Sequence, residues 1–110
     1  MKVWIFEDNL MWSSRLVKSV QAFGHDAVLL QSIPDGESAD AAILNLSSSG
    51  FSELVPLLKA KGVFTIGHAG HKEKEILQLG RDAGVDRIAT NSELTYKIES
   101  ILNESESSKS

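Results

Sequence analysis

Val3-Trp4-Ile5-Phe6-Glu7-Asp8-Asn9 reads as a short strand that runs into two acids. Four successive apolar positions, β-branched or aromatic, suit a strand buried on both faces, as in a parallel sheet. Asp8 or Asn9 can then cap a helix whose inner stripe is Trp12, Leu16, Val20 and Phe23, and Gly24 stops it. Trp4 and Trp12 both have a place in a core on this reading.

The same alternation continues to the other end of the chain. Ala27 to Leu30, Ala41 to Leu44, Val63 to Ile66 and Asp86 to Ala89 are further strand candidates. Between Gly50 and Gly62, Phe51, Leu54, Val55, Leu57 and Leu58 recur at helical spacing, with Pro56 expected to kink or delay the helix. Lys72 to Ala83 reads as a helix carrying Ile76, Leu77 and Leu79. Asn91 or Ser92 caps a last one that buries Leu94, Ile98, Ile101 and Leu102. Five strands interleaved with helices call for a parallel sheet covered on both faces by right-handed crossovers. The connection from Gln31 to Asp40, with Pro34-Asp35-Gly36 inside it, has only about ten residues, near the lower limit for a parallel crossover. The helix there is expected to be short or absent.

Composition narrows the class. A chain of 110 residues, 42% hydrophobic, has room for one domain with a real core. That domain is expected over residues 1–102, with 103–110, rich in Ser and Glu and without a large apolar residue, as a disordered tail. Eleven Lys and Arg against fifteen Asp and Glu give a net charge of −4, which argues against nucleic acid or an acidic membrane as partner. No cysteine is present, so disulfides, thiolate metal sites and cysteine nucleophiles are excluded. The first apolar run meets acids by position 7, too early for a signal segment or a membrane span, and a cytoplasmic protein is expected.

The strand ending in Glu7-Asp8, the helical stripe up to Gly24, and Asp82-Ala83-Gly84-Val85 before a short strand together resemble a response-regulator receiver domain of the chemotaxis type. The resemblance covers residues 2–102 and implies a flavodoxin-like, doubly wound five-stranded sheet of order 2-1-3-4-5. It also implies a site in which an acidic pair and a third-strand aspartate hold Mg²⁺, the aspartate accepts a phosphoryl group, and a Thr or Ser and a Lys respond. Glu7 and Asp8 match the pair. The acceptor position holds Asn45, whose amide is neither a nucleophile nor a charged metal ligand. His68 or Ala69 stands at the Thr or Ser position, and Asn91-Ser92 at the Lys-Pro position. The resemblance is thus to a pseudo-receiver: a two-component signalling module that binds a protein partner, without enzymatic activity.

Each of these residues also has a plainer role. Glu7 and Asp8 form a weak Mg²⁺ candidate, with Asn45 and backbone oxygen such as that of Ser47 completing it, or else a helix cap and a solvated acid. Asn45 is expected to bridge strand end and loop, since a third acid beside two others would raise their pKa values unless a cation were present. Ser47-Ser48-Ser49 read as cap and loop and offer the nucleophile for a rival reading, residual Mg²⁺-dependent phosphoryl transfer at a non-standard residue. His68 and His71, without a third ligand, make a poor metal site. A nucleotide or flavin binder lacks the Gly-rich fingerprint after the first strand. For partners, the resemblance suggests the face of the fourth helix, fifth strand and fifth helix. The short Gln31 to Asp40 connection adds the edge from Ala27 to Ile33, where a homodimer or a partner contact is expected.

Overall fold

In the computed structural model, which describes residues 1–107, the chain alternates strand and helix except between its second and third strands. The order is β1 (Lys2–Phe6), α1 (Leu10–Ala22), β2 (Asp26–Leu29), β3 (Ala41–Asn45), α2 (Phe51–Ala60), β4 (Phe64–Ala69), α3 (Lys74–Asp82), β5 (Arg87–Thr90) and α4 (Asn91–Ser107). The strands form one parallel sheet of order β2-β1-β3-β4-β5. This is the flavodoxin-like, doubly wound topology expected from the sequence. No helix forms between β2 and β3.

The period of two along each strand divides the core. Val3, Ile5, Ile43 and Ile66 face α1 and α4, meeting Leu16, Val20, Leu94, Ile98 and Ile101. Trp4, Phe6 and Leu44 face the other way, toward Val55 and Leu58 of α2 and Leu77 of α3. Fully burying side chains of this size contributes roughly 1.5–3 kcal/mol each. Both layers therefore hold the sheet, and α3 comes close because glycine lies at the contact. A Cβ on Gly80 would stand 2.8 Å from side-chain carbons of both Ile88 and Leu46.

The short β2–β3 connection seals most of what a helix would have covered. Ile33 and Ala39 pack against the Trp4 layer, and Trp4 is only 1% exposed. Asp40 anchors the descent by accepting a 2.7 Å hydrogen bond from the Lys2 N–H.

Several local expectations need correction. Phe23 is not part of the inner stripe of α1; it is the C-cap residue and is largely exposed. Helix α2 starts at Phe51 and runs through Pro56 to Ala60, so the proline delays nothing. Its cap is Gly50 in the left-handed region (φ 86°), not a serine. The cap of α4 is Thr90: its hydroxyl accepts from the Glu93 N–H, and the Glu93 carboxylate accepts from the Thr90 N–H, both at 3.1 Å. This reciprocal capping box is written in the sequence as Thr90-Asn91-Ser92-Glu93. Finally, α4 does not end at Leu102. It leaves helical geometry at Lys97, then continues to Ser107, with Ser105 buried and its hydroxyl bonded to the Leu102 carbonyl at 2.7 Å. The tail expected over 103–110 is thus helical to 107, and 108–110 lie outside the described residues. Among the described residues no helix is long and apolar enough to cross a membrane.

Candidate functional site

Strand register decides which side chains meet. Ile5 pairs with Ile43 and Ile43 with Ile66, a row facing α1 and α4. Two residues on, the same face carries Glu7 just past β1, Asn45 at the end of β3 and His68 near the end of β4, with Asn45 paired to His68. One row beyond the last apolar layer, the sheet thus presents a carboxyl, an amide and an imidazole side by side. The alternative Ala69 points to the other face, into the α2 and α3 layer.

These groups contact one another in a continuous row. Asn45 Nδ2 donates to Glu7 Oε2 at 2.8 Å, and the Asn9 N–H donates to the same oxygen at 3.2 Å. Glu7 Oε1 lies 3.2 Å from His68 Nε2. The contact has the distance of an ion pair but not the alignment of a good hydrogen bond, and neither atom bonds elsewhere among the described residues. On its other side, His68 Nδ1 meets Asn91 Oδ1 at 2.7 Å. The Asn91 amide oxygen can accept from the Nδ1–H tautomer of the ring. Trp12 closes the top, its ring 5.5 Å from the imidazole, with the Arg15 guanidinium 5.2 Å from the indole on the outside. Trp12 is only half-buried, and its contact with His68 is a role that the helical stripe alone did not reveal.

Electrostatics favour an ionised Glu7 despite its burial. The residue is 8% exposed and burial raises its pKa, but the close His68 imidazole and the hydrogen bonds from the Asn45 amide and the Asn9 N–H outweigh that, so the carboxyl sits below its ordinary 4.5. A buried carboxylate of this kind depends on its partners.

The weak Mg²⁺ candidate does not fit this arrangement. Glu7 is engaged on both oxygens, and the Asn45 carbonyl oxygen accepts from the Ser47 N–H at 2.9 Å. Asp8 is exposed and accepts from the Ser48 hydroxyl at 2.9 Å, leaving one outward carboxylate where a hard cation needs six oxygens in near-octahedral order. Among the described residues no cluster of three or more acids, histidines or cysteines could hold a metal, and His71 is exposed, apart from buried His68. Of the serines, Ser47 donates to Glu73 Oε2 at 3.1 Å and Ser48 to Asp8. Asn9 is the cap of α1, accepting from Met11 and Trp12, which frees Asp8 from that duty.

The sequence matches no protein-family model and no curated protein. The fold does have close counterparts. A response regulator receiver domain protein from Clostridium thermocellum superposes with a TM-score of 0.81 at 12% identity, covering 98% of this chain and 95% of that one. The signal receiver domain of a signal transduction histidine kinase from Syntrophus aciditrophicus gives 0.81 at 13%, covering 97% and 90%. A CheY-like receiver domain protein from Methanospirillum hungatei gives 0.74 at 17%, covering 97% of each. At these identities the likeness is one of fold.

Proposed function

We propose that this chain, with the receiver-domain fold of two-component systems, is a signalling module that acts by protein contact and transfers no phosphoryl group. The observation that carries this reading is Asn45. Its amide stands at the end of β3, where the fold would place an acceptor, and is tied to Glu7 on one side and Ser47 on the other. An amide so placed neither attacks phosphorus nor supplies charge to a metal. The hydrogen-bonded row instead joins the ends of β1, β3 and β4 to the start of α4, holding permanently a link that a chemical signal would otherwise have to make. With the second helix missing, the partner face suggested by the fold is that of α3, β5 and α4, on which Leu79 and Tyr96 are exposed apolar groups.

The test is intact-mass analysis after incubation with acetyl phosphate and Mg²⁺. The expected result is an unmodified chain. A phosphoryl adduct mapped to Asp8 or Ser48, the latter already hydrogen-bonded to a carboxylate, would overturn the reading in favour of transfer at a non-standard residue.

A further inference from the structure

Beside the filled row, the same end of the sheet opens into a cavity of about 310 Å³. It lies among the ends of β1, β2 and β3 and the first turns of α1 and α2, where the chain passes from one side of the sheet to the other. Ligands collect at such a switch point in open α/β sheets, and the volume lies at the lower end for small-molecule pockets. The missing β2–β3 helix leaves the space. Ile33 and Ala39 cover the sheet lower down, while Leu30 and Gln31 form one wall here.

Its chemistry has two halves. Phe6 and Leu44 make the floor, and Phe51, Leu54 and Leu30 the walls. At the mouth, Leu10 is 83% exposed and Leu29 47% exposed, so the apolar lining continues out to the rim. The charged groups of the lining are Glu7 and Asp8; among the described residues no Lys, Arg or His contributes to it. Glu7 is consumed by Asn45, Asn9 and His68, whereas Asp8 accepts only the Ser48 hydroxyl among the described residues. Ser49 adds a further polar group at the rim.

We infer that this cavity binds a small organic amine, its ammonium on Asp8 and Ser48 and its hydrophobic body on Phe6, Phe51 and Leu54. An ammonium has three donors, which one carboxylate with neighbouring hydroxyl or carbonyl oxygens can satisfy. A divalent metal would find too few ligands here; an anion would gain the N-terminal turns of α1 and α2 but meet the carboxylates of Glu7 and Asp8, and neither would use the apolar walls. The inference is independent of how the neighbouring row signals, because Asp8 is outside that network.

The probe is phenethylamine, titrated into the ¹⁵N-labelled chain at neutral pH and followed by amide shifts, with phenylacetate as the equally sized anion. Phenethylamine should saturate with a dissociation constant of about 1 mM or tighter, moving the amides of Asp8, Leu30 and Ser48. Asp8→Asn should weaken it roughly tenfold with the spectrum otherwise retained, the measure of one lost charge-assisted contact. Leu54→Trp, which fills the cavity from its wall, should abolish binding. Equal affinity for phenylacetate, undiminished binding to Asp8→Asn, shifts that map elsewhere, or response only to a lysine-containing peptide and not to the free amine would each overturn the inference.

Discussion

Two stretches of the same sheet end behave in opposite ways. On the side of β3, β4 and β5, the row Glu7, Asn45 and His68 is filled by its own contacts and extended by Asn91. On the side of β2, the floor of Phe6 and Leu44 is left under an open cavity. The closed half is made by side-chain type: polar groups placed two residues past the last apolar row find partners because the parallel register brings them level. The open half is made by chain length, since about ten residues between β2 and β3 reach across the sheet without building a helix over it. One half therefore depends on individual atoms and the other on backbone economy, and they should respond differently to perturbation.

The largest effect should come from breaking the closed half. His68→Ala leaves the buried Glu7 carboxylate without its imidazole and a void beneath Trp12. Removing one member of a buried pair costs about 3–5 kcal/mol, so urea unfolding near neutral pH should show a loss of about 3 kcal/mol or more. The sign with pH follows from the lowered pKa of Glu7. Its contribution is fully present above the unfolded value near 4.5 and is lost as pH falls through the lower folded value. In the variant Glu7 is no longer held down by His68. The deficit should therefore be widest above pH 4.5 and narrow in acid. A loss below about 1 kcal/mol at neutral pH would mean that Glu7 does not need the imidazole.

A smaller effect, with a different signature, is expected of Asn45→Asp. The substitution removes the donor to Glu7 Oε2 and sets a third carboxylate beside Glu7 and Asp8. The metal-free protein should lose about 1–3 kcal/mol. Mg²⁺ should then bind detectably in calorimetry and recover part of the loss, whereas the native chain should show little or no heat. Unchanged Mg²⁺ affinity would show that residue 45 and the acidic pair do not act on one ion.

Sequence reading reached the closed half better than the open one. Glu7, Asn45, His68 and Asn91 each stand at a recognisable distance past an apolar run, and period two plus parallel register converts those distances into contact. What it could not supply was direction. Whether His68 or Ala69 faced inward depended on a parity that only the register with β3 settles, and Trp12 looked like ordinary core until its ring was seen beside the imidazole. The Thr90–Glu93 box was legible but lay hidden behind Asn91, an equally good cap by composition. Residues 103–107 misled because Ser and Glu promise solvent, yet Ser105 is buried against Met1 and its hydroxyl is satisfied by the Leu102 carbonyl. The cavity left no sequence mark beyond the brevity of 31–40, since brevity alone does not say whether Ile33 seals the sheet.

The smallest effect concerns the edge of the open half, where the homodimer suggested by the sequence would form. The N–H groups of Asp26 in β2 and of Leu30 just past its end bond to Met1 and Ile5 carbonyls at 2.9 Å, so by alternation the Val28 N–H also points inward. Ala27 and Leu29 then turn their N–H groups outward along an edge whose Val28 and Leu29 side chains are also exposed. Hydrogen exchange should accordingly split within one strand: slow at Val28 and Leu30, fast at Ala27 and Leu29. If two copies pair through this edge, the outward amides alone should slow as concentration rises. Protection scales as one plus the ratio of free partner to dissociation constant, so a weak dimer slows them only a few-fold near the top of a millimolar series. Asp26 at the start of each strand, and the four-residue length of β2, both limit such pairing, which is why the effect is ranked last. Concentration-independent exchange at Ala27 and Leu29, with a monomer in sedimentation at every concentration, would remove the edge as a self-association surface.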